Sequence, residues 1–244
     1  MRTSHGKFPA LIVVKPRRLL RQCICLAAVL SSPPVFAQLA VQLGAASEND
    51  FRGNTLSAGN PVASLALAFD DPHGWFAGGF LSEARFRDYS HDVAQIVLDA
   101  GYAHALSSGM SWEVGATSSL FPNAAYNNYA ELFAGLASRR WSARVYVSPD
   151  YYGRGHRTIY GELNYFHPLN DRMRLLAHAG AQHAGNIPAS AHANTFDIRA
   201  GLDLRLGDFN LQIQHADTDR LSYALPIRAS GWEHRWVVSV THPW

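Results

Sequence analysis

Glu233-His234-Arg235-Trp236-Val237-Val238-Ser239-Val240-Thr241-His242-Pro243-Trp244 are the last twelve residues, and their reading decides how the rest is read. At a period of two, Trp236, Val238, Val240, His242 and Trp244 share one face, and Arg235, Val237, Ser239 and Thr241 share the other. Such alternation marks a β-strand with one apolar and one wetter side. An edge strand of a soluble sandwich would alternate in the same way, so the preceding chain has to decide.

Residues 1–37 carry Arg2, Lys7, Lys15, Arg17, Arg18 and Arg21 and no acid. The basic segment leads into the apolar run Cys23–Leu30, then Ser31-Ser32-Pro33-Pro34 and Val35-Phe36-Ala37. This order predicts a secretory signal peptide cut between Ala37 and Gln38. The uncharged run is too short for a membrane anchor and is interrupted by the proline pair. Both cysteines fall inside this leader, so residues 38–244 have none for disulfides or catalysis. Six of the 21 basic residues also fall there, which leaves 15, all arginine, against 19 acids. A net charge of −4 without histidine removes the main argument for nucleic-acid binding.

Residues 38–244 read as one domain of about twelve strands, at 38–47, 61–69, 75–84, 93–105, 111–119, 128–137, 141–148, 158–166, 172–183, 195–206, 209–218 and 233–244. The connections alternate in length. Short ones rich in Gly, Pro, Asn and Asp fall at 70–74, 107–109, 139–140, 168–171 and 207–208, as tight hairpins require. Long ones fall at 48–60, 85–92, 120–127, 149–157, 184–194 and 219–232. Short turns on one rim and long loops on the other are the organisation of a transmembrane antiparallel β-barrel. Trp75, Trp112, Trp141 and Phe209 open strands after short turns, and Phe69, Tyr165 and Trp244 close strands running back. A barrel gathers these at one interface as an aromatic girdle. Phe121, Tyr129, Tyr151, Tyr152 and Phe196 are expected toward the long-loop rim.

With the strands in place, the closing segment resembles the last strand of bacterial outer-membrane barrels, which ends in an aromatic residue and is read by the barrel-assembly machinery. Trp236, Val238, Val240 and Trp244 carry that resemblance, and His242 departs from it. Several segments also resemble the TorF family of Gram-negative porins. They are Ser47-Glu48-Asn49-Asp50-Phe51-Arg52-Gly53, Gly74-Trp75-Phe76-Ala77-Gly78, Glu131-Leu132-Phe133-Ala134-Gly135-Leu136, Tyr146-Val147-Ser148-Pro149-Asp150-Tyr151-Tyr152-Gly153, Asp217-Thr218-Asp219 and Val238-Ser239-Val240. The match runs in order through nearly all of 38–244, and departs at Asn54-Thr55-Leu56 and Thr241-His242-Pro243. The resemblance implies a channel in the outer membrane, reached after export, among lipid and lipopolysaccharide and passing small hydrophilic solutes.

In a channel the functional residues are those of the lumen wall. Inward candidates are Asp99, Glu113, Glu131, Glu162, Asp197 and Asp203 against Arg144, Arg199, Arg205 and Arg235, a slightly acidic set. Pairing Ser148 with Thr158 places Arg144 opposite Glu162, with Glu131 expected within reach one strand further back. These charges either set ion preference or pair off and fill the barrel. The rival class is a barrel enzyme acting on lipid, a phospholipase or lipid A hydrolase. No G-x-S-x-G is present and no His–Ser pair suggests itself, so no catalytic residue is assigned. His178 is expected to be a satisfied lumen histidine, and His156, His183 and His192 to be solvated loop residues. No cofactor or metal set is expected. The closing strand yields a first prediction. Deleting Trp244 should lower outer-membrane levels and leave unassembled protein in the periplasm, measured by cell fractionation; unchanged assembly would contradict this reading of the strand.

Overall fold

The computed structural model describes residues 38–86, 92–188, 191–219 and 233–243. Residues 1–37, where the leader was expected, Trp244 and most of the 219–232 connection therefore lie outside the described residues. The strands are β1 (Gln38–Ala46), β2 (Asp50–Phe51), β3 (Asn54–Thr55), β4 (Val62–Asp70), β5 (Trp75–Ala84), β6 (Val93–Ala105), β7 (Ser111–Leu120), β8 (Tyr129–Ala137), β9 (Trp141–Ser148), β10 (Arg157–Pro168), β11 (Met173–Gly185), β12 (Asn194–Leu206), β13 (Phe209–Thr218) and β14 (Glu233–Pro243). All but β2 and β3 form one closed antiparallel barrel of twelve strands, each beside its neighbours in sequence. β1 closes it against β14, with Leu43 opposite His242 and Ala45 opposite Val240. The barrel strands begin and end within two residues of the expected bounds.

The tight turns have the chemistry expected of them. Gly207 adopts φ 64° in the two-residue connection Gly207-Asp208, a conformation that suits glycine. In the turn after β4, Asp71 Oδ1 accepts the backbone N–H of His73 at 2.8 Å. That hydrogen bond holds the Asp71 carboxyl below its ordinary value.

The distribution of polarity is the reverse of a soluble protein. Leu39, Leu67, Leu98, Leu132, Val145, Ile159, Ile198, Trp236 and Val238 are exposed on the outer wall. Trp75, Phe69, Tyr165 and Phe209 are exposed there too, at the short-turn end, where a girdle was expected. The buried positions include Gln95, Glu113, Glu131, Arg144, Arg174, Asp197, Arg199, Asp203 and Gln212. A band of exposed aliphatic side chains around a charged interior suits a hydrocarbon surround and is unfavourable in water.

Inward glycines make room for that interior. A Cβ on Gly115 would lie 2.6 Å from the Phe133 ring, and one on Gly135 would lie 2.7 Å from Glu113 Oε1. Large side chains therefore lie flat across glycines on neighbouring strands, and a barrel of modest width holds them without opening its sheet.

The aromatics expected toward the long-loop rim lie there, on two different faces. Phe196 faces outward, but Phe121, Tyr129, Tyr151 and Tyr152 are buried inside the long-loop mouth with Phe51, Leu56, Phe86 and Val93. The short 3-10 turn Tyr151–Gly153 carries two of them inward, and another, Pro122–Asn127, begins next to Phe121. Apolar surface at that end is satisfied by a local core instead of by lipid.

The outer wall generates a prediction. Leu132 is 69% exposed near the middle of β8. Leu132→Arg should destabilise the barrel in lipid vesicles by about 2–4 kcal/mol, as a charge near the bilayer midplane does. Reversible urea unfolding measures it, and a shift near zero would contradict a lipid-facing wall.

Candidate functional site in the lumen

The first long connection, expected over 48–60 as a loop on the long-loop rim, folds into the barrel. β2 and β3 form a hairpin with Asp50 opposite Thr55 and Phe51 opposite Asn54. Its two turn residues, Arg52 and Gly53, have φ 49° and 71°, the paired left-handed geometry of a tight primed turn. Arginine is strained there, so its side chain contacts must hold it. Gly53 has no alternative: a Cβ would sit 2.1 Å from Thr218 Oγ1 and 2.4 Å from Asp197 Cβ. The Arg-Gly pair noted in the sequence is thus the tip of a wedge driven into the lumen.

Arg52 is the centre of the wedge. Its Nη2 donates to Glu131 Oε1 at 2.8 Å and its Nη1 to the Tyr151 hydroxyl at 3.2 Å. Its guanidinium stacks 4.0 Å from the Tyr160 ring centroid, with Tyr146 and Tyr151 farther out. A desolvated cation over an aromatic face contributes about 2 kcal/mol. Burial works against the charge, but Glu131 and the surrounding phenols raise the Arg52 pKa well above its ordinary value. Burial likewise pushes the Tyr151 and Tyr152 phenols up, so both stay neutral.

The hairpin is fastened on its other side as well. Asp50 accepts from Arg199 Nη1 at 2.9 Å and from Arg235 Nη2 at 2.8 Å. The Gly53 carbonyl accepts from Arg235 Nη2 and from the Thr218 hydroxyl, both at 2.5 Å. Asn49 Nδ2 donates to Gln95 Oε1 at 2.7 Å and to the Glu83 carbonyl at 2.8 Å.

Below the hairpin the wall charges pair among themselves. β9 and β10 have the expected register, with Ser148 opposite Thr158 and Arg144 opposite Glu162. The ion pair, however, goes elsewhere. Arg144 grips Glu113 on β7 with two bonds, Nη2 to Oε2 at 2.9 Å and Nε to Oε1 at 2.5 Å. Glu162 is reached through Tyr146, whose hydroxyl lies 3.3 Å from both Arg144 Nη1 and Glu162 Oε1. Glu131, expected near Arg144, is taken by Arg52. Gly135 explains the change, because its missing side chain lets Arg144 cross β8 and reach Glu113. Arg174 pairs with Asp203 near the short-turn end, a partnership the sequence reading missed. Asp197 accepts from Tyr160 at 3.1 Å and lies 2.8 Å from His178 Nε2, and His178 Nδ1 lies 2.7 Å from Asn164 Oδ1. Asp99 is half-buried against Gly78, and Arg205 is exposed at the short-turn rim.

The inner wall has two characters. Phe76, Phe133, Tyr146 and Tyr160 form an aromatic stripe, each ring 5.6–6.3 Å from the next. Across from it, under the hairpin, lies a cavity of about 90 Å³ lined by Asp50, Ser64, Ser82, Arg199, Gln212 and Ser239 among others. Val62, Phe80 and Val237 line it beside these polar groups, and it has room for several waters. Outside the lumen, His156 Nδ1 meets the Asn186 carbonyl and His183 Nδ1 meets Asn194 Oδ1. Among the described residues these histidines share no cluster of ligating atoms, whereas His215, Asp217 and His234 do, a grouping that sequence reading missed.

A closed antiparallel barrel with an apolar outer wall, a charge-lined lumen and an inward loop defines the class, an outer-membrane-type porin fold. The chain belongs to the Gcw_chp family, bacterial proteins of unknown function, whose model matches residues 30–242. The TorF name expected above is not part of that description. None of the curated proteins matches the chain. Among solved structures, the KdgM porin is similar with a TM-score of 0.52 and 11% identity, over 83% of this chain and 98% of its own. The KdgM porin in complex with disordered oligogalacturonate is similar with a TM-score of 0.54 at the same identity and coverage. The NanC porin has a TM-score of 0.52 and 13% identity, over 84% of this chain and 99% of its own. At such identities the likeness is one of fold.

The hairpin anchor generates a prediction. Arg52→Ala or Glu131→Ala leaves a buried charge without its partner and should each cost about 3–5 kcal/mol. Arg52→Ala with Glu131→Ala should cost much less than the two single changes together. Urea unfolding in lipid vesicles provides the cycle, and simple additivity would show that the pair is not coupled.

Proposed function

We propose that the protein is an outer-membrane channel of porin type for small hydrophilic solutes, with the 47–60 segment as its constriction. The observation that carries this reading is the inverted polarity: exposed Leu, Ile, Val and aromatic side chains outside, ion-paired Arg, Asp and Glu inside. Only a closed barrel lets strands cross a bilayer with every backbone group paired, and this sheet closes. The TorF resemblance and the shared fold of the KdgM and NanC porins support the same class.

The lumen also bears on the solute. One relative in fold is described in complex with oligogalacturonate, an acidic sugar. In this chain Arg52, Arg144, Arg174, Arg199 and Arg235 each meet a carboxylate. A wall neutralised in this way favours small neutral solutes and ions over long polyanions. The cavity under the hairpin is the space left for passage in this reading, and the hairpin narrows it.

Single-channel recording in planar bilayers tests the proposal. The intact barrel should conduct weakly, and deletion of 49–57 should raise conductance severalfold. Arg144→Ala should shift reversal potentials in a salt gradient toward cation preference, and Glu162→Ala away from it. No conductance in either the intact or the deleted form would overturn the channel reading, and phospholipid or lipid A hydrolysis by the purified protein would establish the enzyme instead. Unchanged reversal potentials in both point variants would make Arg144 and Glu162 filling.

A further inference from the structure

A second cluster lies on the opposite side of the sheet from the lumen and owes nothing to the channel reading. His215 and Asp217 stand two residues apart on β13, and His234 on β14 lies directly across from Asp217. At that spacing all three project from the outer wall, beside Trp236 and toward the long-loop end. The Asp217 carboxylate joins the two imidazoles. Its Oδ1 meets His234 Nδ1, and its Oδ2 lies 3.5 Å from His215 Nδ1. The two rings lie nearly parallel, with centroids 6.2 Å apart, and Trp236 holds His215 edge-on at 4.9 Å. One ligating atom from each residue falls within 4.8 Å of the other two.

Two imidazole nitrogens and a carboxylate oxygen are the donors that zinc and its first-row neighbours prefer. Bonds of about 2.0–2.1 Å in a tetrahedral site place donors roughly 3.4 Å apart. The His215–Asp217 spacing already matches this. His234 meets the same carboxylate through its Nδ1, and its side chain is 65% exposed. Polar side chains on an otherwise apolar wall are unfavourable against lipid, and an ion that binds all three together would lower that cost.

We propose that His215, Asp217 and His234 bind a divalent transition-metal ion, zinc foremost, on the outer wall. The three ligands would leave a fourth position open to water. The ion would tie β13 to β14 at the root of the 219–232 connection, one strand from the seam that closes the barrel.

The test uses the untagged, folded chain in detergent, stripped with chelator and titrated with zinc alone by calorimetry. One equivalent should bind and raise the thermal midpoint. His215→Ala and His234→Ala should each weaken binding by at least roughly tenfold, since even outer-shell changes at metal sites cost that much. Asp217→Asn, which keeps the side chain's shape, should also weaken it. His156→Ala and His183→Ala should leave it unchanged. Copper(II) should quench tryptophan fluorescence in the parent, and Trp236→Phe should remove most of that quenching while zinc affinity stays. Heat-modifiable migration on gels confirms that each variant is folded. Absence of one-equivalent binding in the parent would overturn the proposal, as would full affinity in folded His215→Ala and His234→Ala proteins.

Discussion

Closure of β1 on β14 is the constraint on which the rest of this structure depends. A strand facing hydrocarbon has no water for its N–H and C=O groups, so any open edge would leave a row of them unpaired. The five paired positions from Gln42–Pro243 to Ala46–Ser239 remove that edge. Once the sheet is closed, its pleat sends alternate side chains to lipid and to the lumen, and every strand must satisfy both. Ile198 and Asp197, adjacent in sequence, meet opposite environments for this reason.

Closure creates a second demand inside. Twelve strands enclose too much space for one layer of aliphatic side chains and too little for a wide aqueous pore. This chain fills the space with charges and rings, which is stable only if each buried charge finds a partner. The pairs form at two levels. Arg144–Glu113 and Arg174–Asp203 hold the short-turn half, and Arg52–Glu131 with Asp50–Arg199–Arg235 hold the long-loop half. The upper level cannot form from the strands alone, because Asp50 and Arg52 arrive on the inward hairpin. The hairpin is thus both a constriction and the counter-charge for the upper wall.

Mobility should follow the same division. Strand positions are held by ladders on both sides, whereas the hairpin is held by side chains and by the hydrophobic cluster of Phe51, Leu56, Phe86, Phe121 and Tyr152. Release of the hairpin would take Arg52 from Glu131 and Asp50 from Arg199 and Arg235, and so change the field that a solute meets.

Strand number, strand bounds, the two unequal rims and the two faces of strands such as 141–148 and 195–206 were legible in the sequence. They depend on period-two alternation and on Gly, Pro, Asn and Asp at turns, which are local properties. The register of β9 on β10 was legible too, since one hairpin connection sets it. The ion pairs were not. Arg144 lies opposite Glu162 on paper, yet it crosses β8 to Glu113 because Gly135 leaves the way clear, and no pairing rule for adjacent strands contains that route. The hairpin 50–55 was hidden for a similar reason. Most of its residues are polar, as an exposed loop's would be, and their burial comes from partners as distant in the chain as Arg199 and Arg235. His215, Asp217 and His234 meet only because β13 and β14 pair in one register. Local periodicity therefore determined the barrel, and contacts between distant strands, possible only after closure, decided what occupies it.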